Sequence, residues 1–139
     1  MTSEAPVDQP SLASAAFGRT VLIVEDEAVI RQVVADVLEE RGFQVLLAEN
    51  GAEALLQLES SRPDVMVLDL LMPVMHGWAF MENYLEKTGG MPIPIVVLSV
   101  NAALPRSFDR FGVRQVIAKP FDVDELVEAV DRAAPPIAA

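Results

Sequence analysis

The sequence contains no cysteine, so it has neither a disulfide framework nor a thiolate for metal binding or catalysis. No apolar run approaches the ~18–20 residues that a membrane-spanning helix needs. The first residues lack a basic start followed by an apolar stretch, so we expect no secretory signal and a cytoplasmic protein. No Gly-rich phosphate loop ending in Lys-Ser or Lys-Thr is present, which leaves nucleotide hydrolysis unsupported.

Positive charge is also scarce. The chain has ten Lys and Arg residues and 21 Asp and Glu residues, which gives a formal net charge of −11. Nucleic-acid phosphates and anionic lipids would repel such a chain, so we expect neither a nucleic-acid nor a membrane partner. Hydrophobic residues make up 52% of the 139 positions, which is enough apolar side chain for the core of one domain.

The order of apolar and polar residues predicts an α/β fold. Residues 1–18 are rich in Ala, Ser and Pro and are predicted to form a disordered tail, residues 19–133 one domain, and residues 134–139 a short C-terminal tail. Five apolar strands alternate with helices and are predicted at 20–24, 43–47, 64–68, 94–98 and 114–118. This alternation implies a doubly wound, five-stranded parallel sheet of strand order 2-1-3-4-5.

Several helices are predicted from their periodicity and caps. In the first, residues 27–40, the pairs Val29/Ile30, Val33/Val34 and Val37/Leu38 form one apolar stripe at helical spacing. Asn50 with Glu53, and Asp122 with Glu125, are typical of capping pairs. The segment 101–111 is expected to hold a short helix, although Pro105 lies inside it.

Polar residues lie where four of the predicted strands end, and they carry the functional prediction. The most informative is Asp69, since a carboxylate after an all-apolar strand is costly unless something holds it there. The others are Glu25-Asp26, Ser99 and Lys119-Pro120. Because the carboxyl ends of parallel strands share one edge, these groups should converge. Three carboxylates in one cleft repel each other unless a cation lies among them, and oxygen ligands suit Mg2+.

This set meets the needs of phosphoryl transfer to a protein carboxylate. Asp69 would be the nucleophile, while Mg2+, Lys119 and the Ser99 hydroxyl would each take one phosphoryl oxygen. Pro120 permits a cis bond that would aim the lysine. Taken singly, Glu25-Asp26 is as well explained as the start of a helix, and Ser99 and Lys119 as ordinary surface residues. The coincidence of all four at strand ends favours a site.

At these residues the chain resembles the receiver domain of the two-component response-regulator family, over residues 20–132. The resemblance lies in Val-Glu-Asp-Glu at 24–27, Asp-Leu-Leu-Met-Pro-Val-Met-His-Gly at 69–77, Val-Leu-Ser at 97–99 and Lys-Pro-Phe at 119–121. It implies a flavodoxin-like, stand-alone receiver domain. It also implies phosphorylation of Asp69 by a histidine kinase or histidine phosphotransfer protein.

The resemblance further implies the site residues and the mode of action. Mg2+ would bind at Asp26 and Asp69, with Glu25 nearby and the backbone carbonyl of Leu71 contributing, and Ser99 and Lys119 would contact the phosphoryl group. The protein would not be an enzyme beyond promoting its own phosphorylation and dephosphorylation. It would act on a downstream protein, which the sequence does not identify, as a monomer or weak homodimer.

Three features depart from the family pattern. Val100 follows Ser99 where a small residue is usual, and we expect it to narrow access to Asp69. Val116 stands where an aromatic switch is usual, and the segment from Ser99 to Lys119 is slightly short. We therefore expect Asp69 to accept a phosphoryl group without the usual aromatic switch. Leu71 and Asn101 flank the expected approach of a hydrolytic water; the Leu71 side chain cannot orient water, whereas an Asn side chain can, and we expect slow self-dephosphorylation.

Two other functions remain open. The first is a scaffold that keeps the receiver fold and works without phosphorylation, an interpretation that Val100 and Val116 favour and the Asp69, Asp26 and Lys119 set opposes. The second is a metal-dependent phosphatase with an aspartyl nucleophile. Such enzymes resemble an Asp-x-Asp pattern whose second Asp is the general acid. That position is Leu71 here, so the phosphatase ranks last.

Overall fold

The computed structural model describes residues 18–71, 77–100 and 106–136. Its five strands are β1 (Thr20–Val24), β2 (Gln44–Ala48), β3 (Val65–Asp69), β4 (Ile95–Ser99) and β5 (Val113–Ala118). The helices are α1 (Ala28–Glu40), α2 (Gly51–Ser60), α3 (Gly77–Lys87) and α4 (Val123–Ala133), with a 3-10 helix at Arg106–Phe111. All strand pairs are parallel, in the order β2-β1-β3-β4-β5. The predicted doubly wound sheet is therefore confirmed, with strand bounds moved by about one residue.

The sheet separates two apolar layers, which is why its central strands are apolar on both faces. Val21 and Ile23 of β1 face the layer that packs under α1 and α4. Leu22 and Val24 face the opposite layer, under α2, α3 and the 3-10 helix. Every residue of β3 and β4 is buried, so Asp69 and Ser99, which end these two strands, are held by a rigid support.

The helix starts fix the turns that follow the strands. The Asn50 side chain accepts the Glu53 N–H, as predicted, while the Glu53 carboxylate accepts the N–H of Glu49. Asp122 caps α4 by accepting the Asp124 N–H at 2.8 Å, so the predicted pairing of Asp122 with Glu125 is replaced by a tighter local turn. These turns hold β–α connections at the carboxyl edge of the sheet.

Of the segment 101–111, in which a helix is predicted, residues 106–111 form the 3-10 helix, and residues 101–105, with Pro105, lie outside the described part. The hydroxyl of Tyr84, on α3, connects the end of this helix to the residues before β4. It donates to the Phe111 carbonyl at 2.5 Å and accepts the Ile93 N–H at 2.9 Å. Gly112 follows with φ at +89°, where a Cβ would lie 2.5 Å from the Ile93 carbonyl oxygen. The short segment is therefore closely bound to α3 and β4.

The two ends of the described domain meet on the side opposite the strand ends. The buried guanidinium of Arg19 pairs with the Asp131 carboxylate at 2.5 Å and donates to the Pro135 carbonyl at 3.2 Å. Residues 1–17, the bulk of the predicted disordered tail, and 137–139 lie outside the described residues. Within the described ranges, no helix has the length and apolar character to cross a membrane.

Candidate phosphoacceptor site

The polar residues predicted to converge do so at the carboxyl edge of the sheet. Glu25 and Asp26 follow β1, Asp69 ends β3, and one carboxylate oxygen from each lies within 4.8 Å of those of the other two. Glu25 is 0% and Asp69 3% exposed, whereas Asp26 opens to solvent. Two fixed carboxylates thus face one that is accessible to water.

Lys119 joins two of these carboxylates. Its Nζ lies 3.2 Å from Asp69 Oδ2 and 3.3 Å from Glu25 Oε1. The Lys119 N–H donates to the Ser99 carbonyl at 2.9 Å, which anchors the lysine backbone to the end of β4. The Lys119–Pro120 peptide bond is cis, the isomer that Pro120 permits. The lysine therefore approaches Asp69 from a fixed backbone position.

Backbone N–H groups hold the other oxygens of both buried carboxylates. Asp69 Oδ1 accepts the N–H of Leu71 at 3.1 Å, and Glu25 Oε2 accepts the N–H of Glu27 at 3.2 Å. Of the two backbone groups of Leu71, the sequence analysis gave a role to the carbonyl and missed the N–H. The tendency of Asp to bond the backbone two residues on was the available signal.

The electrostatics of the cluster favour a cation. Burial raises the pKa of Glu25 to about 7, with the Asp69 carboxylate adding to the shift, and burial also raises the pKa of Asp69. For Lys119, burial lowers the pKa, but the carboxylates of Glu25 and Asp69 outweigh it, and the net shift is upward. One ammonium thus faces three carboxyl groups, and negative charge is left over.

The residues present fit a hard divalent ion. All the acidic donors are oxygens, the preferred ligands of Mg2+, and Asp26 leaves a side open for the waters that Mg2+ retains. Glu25 Oε1 is buried and, although near Lys119, forms no well-directed hydrogen bond within the described residues. A cation would compensate this oxygen better than the lysine alone.

Ser99 and Val100 follow each other at the end of β4 but lie in different environments. Ser99 is buried and pairs in register with Ala118. Val100 is 68% exposed and lines a groove beside Lys119, so most of its side chain faces solvent at the rim of the site. Val116 packs with the α2–α3 layer. Asn101 lies outside the described residues.

The groove beside Lys119 was not predicted. It has a volume of about 500 Å3 and runs between α1 and the turn before α4, with mostly apolar walls. Val29 is 77% and Val33 42% exposed, and both line this groove. The predicted stripe is thus only partly buried, since the fully buried residues of α1 are Val34, Ala35 and Leu38.

Arg31 is a second residue that the sequence interpretation missed. Its guanidinium donates to the backbone carbonyls of Glu25 and Asp26. Its spacing of six and five residues from the two acids was a signal, since it places the side chain one turn into α1, beside the acidic turn.

Comparison with known proteins identifies relatives of the whole described domain. The family model for the response regulator receiver domain matches residues 21–131. The phosphate regulon transcriptional regulatory protein PhoB of Escherichia coli is 37% identical over 119 residues, covering 82% of this chain and 51% of that protein. The DNA-binding transcriptional regulator NtrC of Escherichia coli is 33% identical over 115 residues, covering 81% and 24%. The chain thus spans about half or less of these curated relatives.

Solved structures of other proteins have a similar fold. The chemotaxis response regulator CheY4 of Vibrio cholerae superposes with a TM-score of 0.73 at 30% identity, covering 83% of this chain and 98% of that one. The response regulator protein TrrA of Thermotoga maritima, solved in complex with Mg2+-BeF, gives a TM-score of 0.70 at 29% identity, covering 83% and 98%.

Proposed function

We propose that the chain accepts a phosphoryl group on Asp69 from a histidine kinase or histidine phosphotransfer protein, because it belongs to the response regulator receiver domain family. The observation that carries the proposal is the contact of Lys119 Nζ with Asp69 Oδ2 at 3.2 Å, within a cluster of three carboxyl groups. A carboxylate so placed is oriented for attack and surrounded by groups that stabilise added negative charge.

The transfer exchanges one bond for another. A carboxylate oxygen of Asp69 forms the new P–O bond as the P–N bond of the donor phosphohistidine breaks, and the histidine nitrogen leaves with that electron pair. Lys119 supplies positive charge to one phosphoryl oxygen and the Ser99 hydroxyl donates to another. The Leu71 N–H keeps the carboxylate oriented. Mg2+, held by Asp26 and Asp69 with Glu25 alongside and the Leu71 carbonyl contributing, would neutralise further charge.

In this proposal the chain catalyses no reaction on other substrates. The Leu71 side chain is exposed and apolar, so it can neither donate a proton nor orient an attacking water. This opposes a phosphatase that acts on other substrates and supports a phosphoacceptor that hydrolyses its own acyl phosphate slowly. Catalysis in this proposal is therefore limited to the phosphorylation and dephosphorylation of Asp69.

The groove beside Lys119 supports a protein as the phosphoryl donor. Its apolar walls include the exposed Val29, Val33 and Val100, and it opens next to the lysine that contacts Asp69. A helix of the donor that presents apolar side chains would bury this surface while its histidine reaches Asp69. The rest of the proposal is a cytoplasmic monomer or weak homodimer that acts on a downstream protein.

A phosphorylation-independent scaffold is the second candidate, and two observations favour it. Val116 packs in the α2–α3 layer where the family usually has a switching aromatic, and Tyr84 binds the neighbouring 3-10 helix to the body. Both features oppose a large rearrangement after phosphorylation. A scaffold would present the same surfaces whether or not Asp69 is modified.

Intact mass measured after incubation with Mg2+ and a small-molecule phosphodonor separates the two candidates. We expect a labile gain of one phosphoryl group in the wild-type protein and in the control Asp36→Asn, which removes an exposed acid on α1. Asp69→Asn should gain nothing. If the wild-type protein binds Mg2+ but gains no phosphoryl group, the scaffold becomes the better account.

A further inference from the structure

Arg31 connects α1 to the acidic turn of the site. Its Nη1 donates to the Glu25 carbonyl at 2.7 Å and, more weakly, to the Asp26 carbonyl at 3.4 Å. Its backbone N–H donates to the Glu27 carbonyl at 2.9 Å. One residue thus bonds the backbone of three consecutive acids, two of which belong to the carboxylate cluster.

The remaining bonds of this turn show what Arg31 adds. On the sheet side, the Glu25 N–H donates to the Ala48 carbonyl at 3.1 Å. Within the turn, the Glu27 N–H donates to the Glu25 carboxylate at 3.2 Å. Both bonds engage the turn through N–H groups, whereas Arg31 engages carbonyls from the helix side. A hydrogen bond from a charged donor at 2.7 Å is stronger than a neutral one, so it restrains the turn substantially.

We propose that Arg31 is a positioning residue that holds Glu25 and Asp26 in the arrangement a divalent cation requires. The inference rests on the proposed function in one respect, that the carboxylate cluster is the cation site. Mg2+ requires nearly regular octahedral coordination, so its ligands must be held in place. If the turn becomes ordered only when the ion binds, that ordering costs free energy and lowers the affinity for Mg2+. Groups that orient ligands from outside the first coordination sphere commonly control affinity in this way.

The sign of the effect distinguishes positioning from simple charge. The guanidinium is a permanent positive charge close to the acidic turn, and by charge alone it repels Mg2+. Removing it should therefore tighten Mg2+ binding if charge is all that matters. Removing it should weaken Mg2+ binding if its hydrogen bonds to the Glu25 and Asp26 carbonyls dominate.

The first measurement is the Mg2+ dissociation constant of the full chain by calorimetric titration. Arg31→Met should weaken binding by about tenfold or more, the usual size for loss of an outer positioning group. Arg31→Lys, which keeps the charge but offers one compact donor group, should fall between Met and wild type. The control Arg114→Met removes the same charge from the exposed edge strand β5 and should leave affinity unchanged or slightly tighter. Equal or tighter binding by Arg31→Met would overturn the proposal.

The second measurement needs no metal. Amide hydrogen exchange without Mg2+ should be faster by about tenfold at Glu25 and Glu27 in Arg31→Met, with the core amides of β3 unchanged. Unchanged protection of the turn would refute positioning whatever the titration shows. A wild-type protein that fails to bind Mg2+ would contradict the cation site of the proposed function, while the exchange rates still decide the role of Arg31. If Arg31→Met does not fold, Arg31→Lys carries both comparisons.

Discussion

Replacing Glu25 with Gln should make the metal-free protein more stable at high pH, although it removes a carboxylate that contacts a lysine. Burial raises the pKa of Glu25 from its ordinary value of 4.5 to about 7 in the folded protein. The unfolded chain therefore releases this proton at lower pH than the folded one. Between these two values the folded state binds more protons, so the free energy of unfolding falls as pH rises.

The size of the effect follows from the same two pKa values. Each pKa unit corresponds to about 1.4 kcal/mol, so the interval from 4.5 to about 7 corresponds to a loss of about 3 kcal/mol on passing from acid to alkaline solution. Gln has no proton to lose and escapes this loss. Its amide satisfies either the Glu27 N–H or Lys119 with its oxygen and leaves its nitrogen facing the other, at a cost of about 1 kcal/mol at every pH.

Denaturant unfolding without Mg2+ at about pH 4 and about pH 8 tests this reasoning. The variant should be less stable than wild type by about 1 kcal/mol at the lower pH and more stable by about 2 kcal/mol at the higher. The control Glu39→Gln changes an exposed acid near the end of α1 and should show no such reversal. A difference between Glu25→Gln and wild type that does not vary with pH would refute the assignment of a buried, costly carboxylate.

Two further predictions concern Val100 and Tyr84. The Val100 side chain is 68% exposed at the rim of the groove, so Val100→Ala should change the rate of phosphorylation by a small-molecule donor by less than about twofold, which is about 0.4 kcal/mol in the barrier. The rate is measured from intact mass against time, and a large acceleration would show that this valine blocks Asp69. Tyr84→Phe removes the buried hydroxyl that bonds Phe111 and Ile93, and should lower the free energy of unfolding by about 1–3 kcal/mol. Unfolding of Tyr84→Phe at the wild-type denaturant midpoint would contradict that role.

The fold and the polar edge of the site were predictable from the sequence because each depends on local pattern. The short apolar runs of β3 and β4 are typical of strands buried on both faces, and parallel strands bring Asp69 and Lys119 to one edge. The cis bond before Pro120 was foreseen as a possibility, since only an X-Pro bond adopts it at modest cost.

Other features could not be read from residue type, since they depend on which neighbours fill the space around a side chain. Val29 and Val33 fit a helical apolar stripe, yet Val34 and Leu38 are the residues of that stripe that are fully buried, and the first two line the groove. Likewise, the described part of the segment 101–111, in which a helix is expected, is a 3-10 helix, whose end is held by a Tyr84 hydroxyl from another element.

The sequence by itself determined the α/β order of elements and the convergence of the acids and the lysine, because periodicity and strand polarity constrain these without reference to distant contacts. The family resemblance came from the motifs around Asp69, Ser99 and Lys119. Tertiary structure alone decided that Lys119 contacts Asp69 and Glu25 together, and that Arg31 holds the acidic turn by its carbonyls. It also decided that Val100 lies in a groove. These are relations between side chains and backbone atoms of different elements, and such distances are fixed only when the elements pack.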